Sequence, residues 1–273
     1  MGALLALTSA VCYGIVDFAG GLLSRHIHHT AVTFFGQVGG LLLACAAALL
    51  MPAAVDSTDL LWGALSGVGS GVAMRFLNRG LSTGAMSVVV PVSAVTGVAL
   101  SVLCGVLVLG DRPGALAWLG IAVTVPALWF VSGGAAGAGK GAADGLLASA
   151  GVAVQYLALG QAGPGSGLWP VAAGRVAAVL VLLPDAARHA RRLKLPPVRC
   201  AQALLIGAGA ALGLVLYLLA AQRQLLAVAV VLASLYPALP VILGVALLHE
   251  RISRSQAMGL LGAGVATVLL TLG

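Results

Sequence analysis

Charge is scarce in this chain: Asp, Glu, Lys and Arg together make up 8% of 273 residues, against about 25% in a soluble domain. A surface that faces water cannot be built from so few charges, so a soluble globular fold is excluded. Acids are scarcest, with 7 Asp and Glu against 14 Lys and Arg. The four cysteines, Cys12, Cys45, Cys104 and Cys200, show no CxxC spacing; they read as small packing residues and not as a disulfide or metal set. Lys140 is followed by Gly141, so no P-loop pattern is completed. The only histidine cluster, His26, His28 and His29, has no carboxylate close after Asp17; a solvated loop is expected there and not a metal site. No cofactor is called for, and an enzyme, which needs a cluster of acids, His or Ser at one face, finds none here.

What the chain has is apolar sequence. Hydrophobic residues are 61% and the mean hydropathy is +1.11. Hydrocarbon offers backbone N–H and C=O groups no partner, so spanning segments must be helices or a closed barrel. The apolar runs are about 20 residues long, enough to cross about 30 Å of hydrocarbon, and they do not alternate as barrel strands do. Breaks in the pattern predict ten helices, over 3–24, 31–51, 60–78, 84–109, 113–132, 145–162, 168–184, 201–221, 225–248 and 255–272. The expected fold is an all-α integral membrane protein. The first run lacks a basic start and a small-residue cleavage site, so it reads as a span and not as a removable signal peptide. Ten spans leave no room for a soluble catalytic or nucleic-acid-binding domain, and the net charge of +7 is not a nucleic-acid footprint.

The chain also repeats itself. Shifted by 139 residues, positions 89–120 match at 11 of 32 places, among them Val92/Val231, Gly105/Gly244 and Arg112/Arg251, with Asp111 meeting Glu250. Roughly four matches would arise by chance in so Ala-, Leu-, Val- and Gly-rich a chain. The reading is residues 1–133 as a first five-helix repeat, 134–144 as a linker and 145–273 as a second repeat. Five is odd, so the second repeat enters the membrane inverted. Inverted repeats that rock about a midplane site are the architecture of secondary transporters.

The run Ser234-Leu-Tyr236-Pro237 before Glu250-Arg251, its weaker copy ending Gly110-Asp111-Arg112, and Tyr13-Gly14-x-x-Asp17-Phe18 in the first span carry a resemblance. They are similar to the drug/metabolite transporter superfamily, EamA type. The resemblance covers both halves. It implies ten helices in two inverted repeats and movement of small metabolites or drugs, often outward, coupled to a proton or by exchange. Gly97-Val98 stand where the family often has Ser-Pro or Tyr-Pro, so no binding role is carried onto them.

Orientation reads two ways. Ten Lys and Arg fall in the odd-numbered connections, only Arg112 and Arg223 in the even ones, and Arg75 and Arg175 within spans. Cytoplasmic loops retain positive charge, which puts the odd connections inside and both termini outside. The resemblance implies termini inside. With 12 Arg against 2 Lys and abundant Ala and Gly, the composition points to a GC-rich bacterial genome, hence a bacterial plasma membrane.

An ionisable group within a span is costly unless paired or wet, and so is a candidate site by default. Asp17 in the first helix and Arg75 in the third fall in one leaflet, where a direct or water-bridged pair is feasible. The alternatives are a structural ion pair and an Asp17 that carries a coupling proton or meets a cationic substrate group. Arg175, near the middle of the seventh helix, has no acid in its leaflet; it reads as facing a water-filled cavity with an anionic ligand, or as bonded to backbone carbonyls. Tyr13 shares a helix face with Asp17. Gln37, Gln155, Tyr156, Tyr217 and Tyr236 complete the candidate substrate-binding set. Pro91 with Gly97, and Pro237 with Pro240, interrupt corresponding helices, which marks a binding site or merely kinks for packing. Gly63, Gly67 and Gly71, like Gly209 and Gly213, form small-residue stripes, read as internal packing or a dimer face, so monomer and homodimer both stand. Asp111-Arg112 and Glu250-Arg251 read as local ion pairs at span ends.

The expected partners are therefore a small-molecule substrate (a polar metabolite, an amino acid or a drug), the lipid bilayer and protons. The rival readings are a channel, which would show a filter-like loop or charged rings, and a membrane-embedded enzyme acting on lipid.

Overall fold

The computed structural model describes residues 2–109, 114–131, 141–221 and 235–272. Asp111 and Arg112, Arg223, Ser234, most of the expected linker and the first part of the expected ninth helix lie outside the described residues. Among the described residues there are ten α-helices and no strands. They are α1 (Gly2–His26), α2 (His29–Leu49), α3 (Ser57–Thr83), α4 (Met86–Cys104) and α5 (Ala115–Val131). The second half supplies α6 (Ala142–Gly160), α7 (Trp169–Arg188), α8 (Pro197–Ala221), α9 (Ala238–Leu248) and α10 (Arg254–Leu272). Eight of the ten are long and apolar enough to cross a membrane, and α5 and α9 are shorter apolar helices. The protein is an all-α, multi-pass membrane protein.

Packing repeats with the sequence. Helix α3 packs between α6 and α7, and α8 packs between α1 and α2. Adding five to each helix number exchanges these two triads. The same operation exchanges α4 against α6 with α9 against α1, and returns α2 against α7 and α5 against α10 to themselves. Two five-helix repeats thus interlock about a pseudo-twofold axis, and their odd helix number makes them inverted in the membrane.

The crossings depend on absent side chains. Gly67 of α3 lies against the backbone of Gly174 in α7, and Gly207 of α8 lies against the backbone of Gly36 in α2. A Cβ on Gly67 or Gly207 would occupy the volume of its partner's backbone. Lipid supplies no hydrophobic drive between helices, so close backbone approach and dispersion hold the bundle together. The Gly63, Gly67 and Gly71 stripe packs on Pro170, Gly174 and Ala178, and Gly209 and Gly213 pack on Val16 and Tyr13. Both stripes are internal. Large apolar side chains such as Leu50, Leu107, Leu205 and Leu261 lie exposed on the outer faces, where hydrocarbon would meet them.

Two expectations about prolines are corrected. Helix α4 runs unbroken through Pro91 from Met86 to Cys104 before a π-helical turn at Gly105–Leu109. Helix α7 does not stop at Pro184 but continues to Arg188. In the second half, Leu235 to Pro237 form a turn and α9 starts at Ala238.

Candidate functional site

The helices enclose a central cavity of about 470 Å³. Tyr13 and Asp17 of α1, Gln37 of α2, Gln155 and Tyr156 of α6, Arg175 of α7, Tyr217 of α8 and Tyr236 before α9 all line it. Eight of the nine residues singled out in the sequence are thus gathered around one space, drawn from both repeats. The ninth, Arg75, is not in the lining.

Arg75 turns away from Asp17. Its Nη2 lies 3.0 Å from Oδ1 of Asp185, whose side chain is 5% exposed. Asp185 Oδ2 also accepts a hydrogen bond from Thr30 Oγ1 at 3.0 Å. This corrects the Asp17–Arg75 pair that the sequence made feasible: Arg75 pairs with Asp185 instead. The cause is the extra turn of α7 beyond Pro184, which carries Asp185 into the bundle. Asp17, half-buried at the cavity wall, has no hydrogen-bond or ion-pair partner among the described residues.

Arg175 is 8% exposed. Its Nη1 donates to Gln37 Oε1 at 2.8 Å, so α2 and α7 are joined where they cross, with an amide as partner and not a carbonyl of a broken helix. No acid pairs with Arg175 among the described residues. Of the aromatic groups, Tyr13 and Tyr236 meet with ring centroids 5.9 Å apart and planes tilted by 53°, an arrangement close to edge-to-face.

Several polar wall residues escaped the sequence reading. Asn78 Nδ2 donates to Thr33 Oγ1 at 3.0 Å, and Thr33 Oγ1 donates to the Met74 carbonyl at 3.3 Å. Ser9, Ser70, Ser93, Ser101, Thr267 and Thr271 also face the cavity. Ser and Thr are common packing residues in spans, and nothing in one sequence says which way they point.

One end of the cavity is closed. Along α1, Asp17 and Gly20 line the space, then Phe18 and Leu22 join a plug built on Leu77, Leu81, Met86, Val89 and Val90. Beyond the plug lies Glu250. Its Oε1 is 3.0 Å from Arg25 Nη2 and accepts from Met86 N at 3.0 Å. Its Oε2 accepts from Ser87 N at 3.1 Å and Ser87 Oγ at 2.9 Å. Arg25 Nη2 also donates to the Gly84 carbonyl at 3.0 Å. Burial alone would raise the Glu250 carboxyl, but these amide, hydroxyl and guanidinium donors outweigh it and hold it below the usual carboxylate range. The expected local pair with Arg251 is therefore corrected: Glu250 bridges the ends of α1, α4 and α9. His249, just before it, sits at φ 53° and ψ 35°, a left-handed cap that costs about 1 kcal/mol in a non-glycine residue; Glu250 N donates to the Gly244 carbonyl at 3.1 Å to close that helix end.

The histidines are not a simple solvated loop. His28 caps α2 by accepting from Thr30 N, and its ring stacks on His29 at 4.5 Å and on His189 at 4.9 Å. Among the described residues no three His, Cys, Asp or Glu side chains are grouped to hold a metal.

Two interlocked repeats thus surround a largely apolar cavity whose polar groups of note are Asp17, Gln37, Gln155, Arg175 and the four tyrosines. The chain belongs to the EamA-like transporter family, which matches residues 1–133 and again 141–272, and is thus a transporter of the drug/metabolite type. No curated protein matches it. Fourteen solved chains do; one, a crystal structure of a protein, aligns over 99% of this chain and 96% of its own with TM-score 0.59 and 18% identity, a likeness of fold.

Proposed function

We propose that the protein is a secondary active exporter that moves small polar metabolites or drugs out of a bacterial cell. The observation that carries this is the shared cavity: the first repeat contributes Asp17 and the second Arg175, neither with an ion-pair partner among the described residues. Asp17 carries the coupling proton, since a carboxylate without a fixed partner exchanges a proton at the lowest structural cost. Arg175, steadied by Gln37, receives an anionic part of the substrate, and Tyr13, Tyr156, Tyr217 and Tyr236 offer aromatic faces and hydroxyls to the rest of it. Rocking of one repeat against the other exposes the cavity alternately.

The sealed end lies among the α1–α2, α3–α4 and α9–α10 connections, all odd-numbered. With the positive charge of those connections inside, the described state is closed to the cytoplasm and the termini are outside.

The test compares medium and cell extract, without choosing metabolites beforehand, from cells making the wild type, Asp17→Asn or no protein, with membrane expression matched. A metabolite that leaves the cell with the wild type and stays with Asp17→Asn is the expected result. Profiles equal to empty-vector cells across many growth conditions would overturn proton-coupled export.

A further inference from the structure

Beside the main cavity is a recess of about 20 Å³, room for roughly one water-sized particle. Its polar walls are Ser66 and Ser70 of α3, Gln155 of α6 and Arg175 of α7, and the rest of its lining is apolar or glycine with no acid. We infer that this recess is an anion seat, filled by a halide-sized ion or by one oxygen of a carboxylate.

Arg175 is more than nine-tenths buried, and only Gln37 accepts from its side chain among the described residues. A guanidinium has five N–H donors and no acceptor, so one bond to Gln37 leaves donor capacity free in a side chain that lines both the recess and the cavity. Leaving a buried cation without a counter-charge costs several kcal/mol. Ser66 and Ser70 are each 6% exposed, stand one turn apart on one helix face, and have no side-chain hydrogen bond to the described residues. Their hydroxyls and the Gln155 amide can donate inward together with Arg175. Three helices therefore bring donors to a space of one-atom size. A cation is repelled there by the guanidinium, and a phosphate group is too large. Charge-assisted hydrogen bonds from such donors are about twice as strong as neutral ones, which favours an anion over water.

The anion has two sources. Ser70, Gln155 and Arg175 line the recess and the main cavity alike, so a carboxylate on a solute in the cavity reaches the seat, and so does free chloride. The first source rests on the cavity being the transport site; the seat itself does not.

The test is binding, not transport. Purified protein in detergent, in a halide-free buffer whose only anion is a bulky sulfonate, is titrated separately with sodium chloride and sodium acetate. Its unfolding midpoint is followed by tryptophan fluorescence. The wild type should gain a saturable rise on the order of 2–4 °C with at least one of them. The rise should vanish in Arg175→Gln and in the double variant Ser66→Ala/Ser70→Ala, whose small side chains keep the α3–α7 crossing intact. A response to chloride alone assigns the seat to a free ion, one to acetate alone assigns it to a carboxylate head, and a response to both makes it a common site. A flat wild-type response to both salts, or a rise that survives in both variants, overturns the seat. Failure of export with the anion response intact would count against the transport reading alone.

Discussion

Arg75 Nη2 and Asp185 Oδ1, 3.0 Å apart, tie α3 to the last turn of α7, and the same carboxylate holds Thr30 at the start of α2. Asp185 therefore anchors three helices at one membrane face. Asp185→Asn should cost about 1–3 kcal/mol, because buried donors lose a charged acceptor. Arg75 is 42% exposed, and solvent screens it, so Arg75→Gln should cost less, about 1 kcal/mol or below. A double-mutant cycle on thermal stability should show coupling between the two; additive losses would mean that the pair contributes nothing.

Glu250 should act on access and not only on stability. Glu250→Gln removes the ion pair to Arg25 and weakens the hold on α4, so the plugged end should open more often. A cysteine at position 78 (Asn78→Cys, with the four native cysteines changed to Ser) should then react faster with a membrane-impermeant thiol reagent added at the odd-connection face. The second repeat has no Lys or Arg between 142 and 169 to play the part of Arg25. Asp111→Asn should accordingly change labelling from the opposite face less than Glu250→Gln changes it from this one. Equal effects would refute that asymmetry.

Acidification should lower stability in two windows. His28 is held below its usual value by burial, then by His189 and Arg192, with Asp185 opposing. The unfolded chain thus takes up this proton first, and the stability of neutral His28, complete above about pH 6.5, is lost as pH falls through the lower folded value. His28→Asn keeps an acceptor at the cap and should flatten this window. Glu250 is likewise lowered; its contribution is complete above about pH 4.3 and is lost as pH falls through its folded value. Glu250→Gln should flatten that second window. Unfolding midpoints measured against pH for the three proteins check both signs.

The pseudo-twofold axis makes a paired prediction. Gly67→Ala and Gly207→Ala each put a methyl group into the backbone of the facing helix, and overpacking of this kind costs about 1–3 kcal/mol or more. The two losses should be similar in size, since the α3–α7 and α8–α2 crossings are related by the repeat. Gly160→Ala, with nothing within 4 Å of its Cβ, should be close to neutral. A large difference between the two crossings would show that the repeats are not packed equivalently.

Much of the site was legible as residue types. An acid and an arginine within spans have few innocent explanations in hydrocarbon, and Asp17 and Arg175 do line the cavity. Arg75 misled because its partner lay behind Pro184, which reads as a helix stop although the helix carries through it. Glu250 looked local because Arg251 follows it, while its true partners, Arg25, Met86 and Ser87, stand more than 160 residues away.

By itself the sequence determined the membrane class, the count of helices and the doubling of the chain, because each follows from apolar run length and self-similarity, which are properties of the chain in one dimension. Only the tertiary structure decided which polar side chains share a space. A helix in lipid shows little amphipathic bias, so its sequence does not say which face turns inward. That choice falls to the glycine crossings at Gly67–Gly174 and Gly36–Gly207, whose close approach fixes how each helix is rotated and thereby aims Arg175, Ser66 and Ser70 into one recess.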